Sequence, residues 1–118
     1  MDDEEDIAIL FKEGLEIMGN YDVDAYTDPL KALNNFKPRI YDLVLVDIVM
    51  PNMSGFEFYT YINKIDMECK VCFFSASENS EQKIRNLFPD MRSKKNVLIQ
   101  KPIRIRDLTN KIKEIINE

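Results

Sequence analysis

The chain has 118 residues, with 16 Lys and Arg against 21 Asp and Glu, no His, and a net charge of −5. The length fits one domain, and 45% hydrophobic with 31% charged residues supplies a core and a solvated surface, which excludes a disordered chain. The acidic balance repels nucleic-acid phosphates. No apolar run reaches the about 18 residues of a membrane helix, and the lack of His removes imidazole bases and His-containing triads.

Met1 to Asp6 is an acidic run, the reverse of a secretory signal, so a cytoplasmic location is expected. Ile7, Leu10, Phe11, Leu15 and Met18 then follow helical spacing, with Gly19-Asn20 as the stop. Residues 22–26 alternate polar and apolar, which predicts an edge strand. Asp28-Pro29 reads as an N-cap followed by Pro at the first helical position, opening a short helix to about Phe36. Leu43-Val44-Leu45-Val46 predicts a strand buried on both faces. Phe58, Ile62 and Ile65 mark a helix after Gly55. Val71 to Phe74 predicts a second buried strand. Ile84, Leu87 and Phe88 mark a helix with Ser80 as its candidate cap, ended by Pro89. A polar, basic loop, including Arg92, Lys94 and Lys95, leads to the strand Val97-Leu98-Ile99. Leu108, Ile112, Ile115 and Ile116 form the apolar stripe of a last helix.

Strands alternating with helices predict an α/β fold with a parallel sheet. Cys69 and Cys72 form a C-x-x-C, but residues three apart in a strand point to opposite faces. With no second Cys pair and no His to complete a zinc set, they read as structural thiols.

The chemistry lies at the strand ends. Asp47, Ser75 and Lys101 each follow an apolar run closely, and parallel sheets gather such ends on one edge. A carboxylate there costs free energy unless a charge binds it. The acidic run at the start of the chain would reach the same edge if a strand preceded it. Carboxylates with few other protein ligands suit Mg²⁺. Asp47 can act as a nucleophile toward phosphorus, while an ammonium and a hydroxyl can hold phosphoryl oxygens. Taken singly, Ser75 could be a helix cap, Lys101 a solvated charge, and Asp2 to Asp6 a favourable helix-start charge.

Together, Asp2-Asp3, Leu43 to Asp47 with Met50-Pro51 and Gly55, Ser75-Ala76, and Lys101-Pro102 resemble the receiver domain of two-component response regulators, over nearly all of residues 1–118. The resemblance implies a flavodoxin-like α/β fold: a parallel sheet of order 2-1-3-4-5, flanked by helices on both faces. It implies that Asp47 accepts a phosphoryl group from a sensor histidine kinase or histidine phosphotransfer protein. Asp3, Asp47 and the Val49 carbonyl would hold Mg²⁺, Asp2 through water, and Ser75 and Lys101 would contact the phosphoryl group. A helix–strand face near the last strand would meet a downstream protein partner. Such a domain is a phosphoacceptor that assists its own phosphorylation and dephosphorylation, not a conventional enzyme.

Three features depart from that pattern. The hydrophobic first strand is absent or truncated, since only Met1 precedes Asp2. Either the sequence starts late, or the sheet is repaired by rearrangement or by homo-oligomer formation. Leu98 stands where the family usually carries an aromatic switch residue. The segment from Phe88 to Asn96 is long and lacks the usual Gly-Ala turn. Two other functions remain open at this stage. One is a pseudo-receiver that binds proteins without phosphorylation. The other is a haloacid-dehalogenase-type phosphohydrolase, disfavoured because Val49 stands where its general acid belongs.

Overall fold

The apolar runs become parallel strands because their residues can bury on two sides at once. In the computed structural model, which describes residues 1–91 and 97–117, the elements follow in order. They are α1 (Glu5–Gly19), α2 (Pro29–Asn35), β1 (Leu43–Asp47), α3 (Gly55–Ile65), β2 (Lys70–Ser75), α4 (Ser80–Leu87), a 3₁₀ turn (Pro89–Met91), β3 (Leu98–Gln100) and α5 (Ile105–Ile116). The strands pair in parallel in the order β1-β2-β3, with Asp47 opposite Phe74 and Ser75 opposite Gln100.

Each face of the sheet is covered by helices. Val46, Phe73 and Val71 pack with Phe58 and Ile62 of α3 and Ile84 of α4. Cys72, Phe74 and Ile99 pack with Leu15 of α1 and Leu108, Ile112 and Ile115 of α5. Cys69 joins the first cluster and Cys72 the second, on opposite faces of the sheet. Burial pushes the Cys69 thiol up to about 11, which keeps it protonated and unreactive near neutrality.

Local chemistry sets the helix ends. Asp28 accepts a hydrogen bond from the Leu30 N–H at 2.9 Å, with Pro29 beginning α2. Asn20 adopts a left-handed conformation (φ 56°) at the end of α1. Lys70 Nζ donates to the carbonyls of Ile115 and Ile116 at 2.8 and 2.9 Å, satisfying the last turn of α5. Ser80 is not a cap: it lies inside α4, its hydroxyl turned toward Ser75.

Two other expectations are corrected. Residues 22–26 do not form a strand. Alternation describes one half of a pair, and among the described residues no strand pairs with residues 22–26 or with the outer side of β1. Met1 N donates to the Leu45 carbonyl at 2.6 Å, Asp47 N–H donates to the Met1 carbonyl at 3.0 Å, and Asp2 N–H reaches the Tyr26 carbonyl at 3.1 Å. The rest of the segment is pinned by side chains, Lys12 to the Val23 carbonyl and Tyr41 to Asp24. For the same reason β1 is not buried throughout: Leu43, Val44 and Leu45 are only half-buried, whereas β2 is buried from Val71 onward. The basic residues Arg92, Lys94 and Lys95 lie outside the described residues.

Candidate functional site

The C-terminal ends of the strands converge as the sequence predicts. The Lys101 ammonium lies 3.0 Å from Asp2 Oδ2 and 3.1 Å from Asp47 Oδ2, bridging the segment before α1 to the end of β1. Both carboxylates are buried, Asp2 at 4% and Asp47 at 8% exposure. The amine also stands 5.8 Å from the centre of the Phe74 ring. Burial on its own would lower the Lys101 pKa. The hydrogen bonds and charges of Asp2 and Asp47 outweigh it and hold the group above its ordinary 10.5. Backbone bonding fixes this lysine: its N–H donates to the Ser75 carbonyl at 2.8 Å, one step past β3.

Asp3 completes a carboxylate cluster, with one oxygen each of Asp2, Asp3 and Asp47 within 4.8 Å of one another. Asp2 has little freedom, because its other oxygen accepts the Glu4 N–H at 3.0 Å. Octahedral Mg²⁺ binds hard oxygens at about 2.0–2.1 Å, so adjacent ligands stand about 3 Å apart and opposite ones about 4 Å. The all-carboxylate donor set suits such an ion. Lys101 supplies the positive charge that holds the cluster together in this structure.

The loop after β1 depends on two residues. Asn52 takes a left-handed conformation (φ 71°) after Pro51. Gly55 donates its N–H to the Ile48 carbonyl at 2.8 Å, and a Cβ there would overlap the Asp47 carbonyl and sit 2.8 Å from Ile48 Cα. Gly55 thus brings α3 against the strand end that carries Asp47. Val49 is 78% exposed on this loop.

Ser75 stands at the same edge, yet its hydroxyl is bonded elsewhere. It pairs with Ser80 Oγ at 2.7 Å and accepts the Ser77 N–H at 3.0 Å. Both Ser75 and Ser80 are buried. Asp2, Asp47 and Lys101 are therefore in direct contact, Asp3 borders them, and Ser75 must turn to join them. Sequence reasoning missed Ser80 and Phe74 as supports of the site. The hydrophilic Ser75–Ser80 interval, closing back on itself, was the available signal for the first.

This edge is the kind of site a parallel α/β sheet builds to bind phosphate and a divalent cation. The chain belongs to the response regulator receiver domain family, whose model matches residues 1–113. It is 28% identical to the response regulator receiver protein CpdR of Brucella abortus, over 98% of this chain and 92% of that protein. It is also 28% identical to sensor protein EvgS of Escherichia coli, over 97% of this chain but only 9% of the relative. The chain spans about half of several transcriptional regulators, among them PrrA of Mycobacterium leprae, at 24% identity, 98% of this chain and 48% of that protein. Among solved structures, a receiver domain protein from Clostridium thermocellum matches with a TM-score of 0.78 at 27% identity, over 98% of this chain and 90% of that one. The non-phosphorylated HemR receiver domain of Leptospira biflexa shares the fold with a TM-score of 0.82 at 23% identity, over 99% and 90% of the two chains.

Proposed function

We propose that the 118-residue chain is one receiver domain that carries a phosphoryl group on Asp47 within a two-component phosphorelay. The observation that carries this reading is Asp47 at a strand end, 3.1 Å from Lys101 and inside a three-carboxylate cluster. The donor is a phosphohistidine on a sensor kinase or phosphotransfer protein. An Asp47 carboxylate oxygen attacks phosphorus, a P–O bond forms, the donor P–N bond breaks, and the imidazole nitrogen keeps the electron pair and is protonated.

Asp3, Asp47 and the Val49 carbonyl would hold Mg²⁺ directly, and Asp2 through water. When bound, the ion would neutralise charge on the carboxylates and the transferring oxygens. Lys101 then exchanges one carboxylate partner for a phosphoryl oxygen. The Ser75 hydroxyl leaves Ser80 for another phosphoryl oxygen, which draws the loop after β2 toward the site. The new charge of about −1.5 to −2 supplies the driving force. Leu98 cannot couple to this movement as an aromatic ring would, so the readout for a downstream partner rests on the β2–α4 loop. The domain assists its own phosphorylation and dephosphorylation but turns over no separate substrate. No helix among the described residues is long and apolar enough to cross a membrane, and we place the domain in the cytoplasm, with no direct contact to nucleic acid.

Incubation with Mg²⁺ and acetyl phosphate, read by intact mass, tests the proposal. The wild-type chain should gain one phosphoryl group, and Asp47→Asn should gain none. A second reading, a phosphorylation-independent binding module, is favoured by one fact: Lys101 already satisfies both buried carboxylates. Failure of the wild type to gain mass would select it.

A further inference from the structure

β2 ends on one buried hydroxyl and α4 begins on another. Ser75 is 4% exposed and Ser80 6%, while residues 76–79 between them are all exposed. The contact between Ser75 Oγ and Ser80 Oγ, at 2.7 Å, therefore closes the base of a solvated loop. The Ser77 N–H, donated to Ser75 Oγ at 3.0 Å, ties that loop to the same oxygen.

The start of α4 depends on this contact. Ser80 and Ile84 are the buried side chains of the helix. Asn79, the residue before it, makes no side-chain cap hydrogen bond. The first turn is thus tied to the strand end through the Ser80 hydroxyl rather than secured by a cap. Among the described residues, Ser80 Oγ has no other partner than Ser75. A phosphoryl oxygen on Asp47 accepts hydrogen bonds and cannot donate them. Ser75 has one hydrogen to offer it, and must turn away from Ser80 to do so. The buried Ser80 hydroxyl then loses its partner, which carries the cost of an unpaired buried polar group.

We propose that Ser80 is a positioning residue: it holds the Ser75 hydroxyl back from Asp47 and so sets the threshold at which the site engages a phosphoryl group. The inference rests on the reading of Asp47 as the phosphoacceptor and assigns that site its restraint. The hydroxyl pair favours the resting position until a charged acceptor, which makes the stronger hydrogen bond, competes for Ser75. The same step unties the first turn of α4. The phosphoryl group thereby gains a route to that helix that needs no aromatic ring at Leu98.

The test uses beryllium trifluoride, which occupies the place of a phosphoryl group on a carboxylate oxygen. Its affinity for the whole chain in Mg²⁺ is read by fluorine NMR. Ser80→Ala should tighten binding about threefold to tenfold, the worth of one net hydrogen bond. Ser80→Thr keeps the hydroxyl and should bind as the wild type does. In a Ser75→Ala background there is no hydroxyl to hold, and Ser80→Ala should change nothing. In the unliganded chain, Ser80→Ala should also speed amide hydrogen exchange at residues 77–81, and Ser80→Thr should not. Unchanged or weaker binding by Ser80→Ala, or an equal gain in the Ser75→Ala background, would overturn the restraint and leave Asp47 as the acceptor. A wild-type chain that binds no beryllium trifluoride would overturn both.

Discussion

Replacing Lys101 by Met keeps the length of the side chain and removes the charge that joins Asp2 to Asp47. Their oxygens lie within 4.8 Å of each other and both residues are buried. Two unit charges at that distance repel by about 3.5 kcal/mol at an effective dielectric of about 20, and by about 0.9 kcal/mol in bulk water. The burial of both carboxylates places the expected loss near the upper figure, and breaking a buried pair carries comparable costs, about 3–5 kcal/mol. Urea unfolding in the presence of a chelator measures it. Mg²⁺ should then restore more stability to Lys101→Met than it adds to the wild type, because in the variant it is the sole cation between the carboxylates. A loss below about 1 kcal/mol, or equal stabilisation of both chains by Mg²⁺, would refute the view that Lys101 holds the cluster together.

Three further outcomes are expected. Gly55→Ala forces a Cβ against the backbone of Asp47 and Ile48, and should cost about 1–3 kcal/mol in chemical denaturation. Asp28→Ala removes the cap of α2 and should cost about 1 kcal/mol by the same assay. The Met1 amine is lowered to about 6 by burial, against the opposing pull of Asp2 and Asp47, while its ordinary value is 8.0. A base lowered on folding binds its proton more readily when unfolded. Stability should therefore be highest above pH 8 and fall by up to about 2.7 kcal/mol toward pH 6, seen as a lower urea midpoint for the chain starting at Met1.

The parts of the fold that were legible in sequence are those decided locally. Three apolar runs, the Asp28-Pro29 cap and the stripe of α5 need no knowledge of distant partners. The edge strand at residues 22–26 failed because a strand is a property of a pair, and alternation does not reveal whether a partner strand lies beside it. The half-burial of Leu43 to Leu45 has the same origin. At the site, the proximity of Asp47 and Lys101 was legible from the strand ends, since parallel topology brings those ends together. Ser80 was misread because a serine at a helix start looks like a cap whether it bonds its own backbone or the Ser75 hydroxyl. The double ion pair of Lys101 is a matter of side-chain reach across 99 residues of sequence, from Asp2 to Lys101, which no local pattern records.

Chemical trapping of the phosphorylated residue is the most direct test. After reaction with acetyl phosphate and Mg²⁺, borohydride reduces an acyl phosphate to an alcohol and so turns aspartyl phosphate into homoserine. Peptide sequencing should find homoserine at position 47. Homoserine at Asp2 or Asp3 instead, or at no position in a folded, Mg²⁺-loaded chain, would contradict the assignment of Asp47 as the phosphoacceptor.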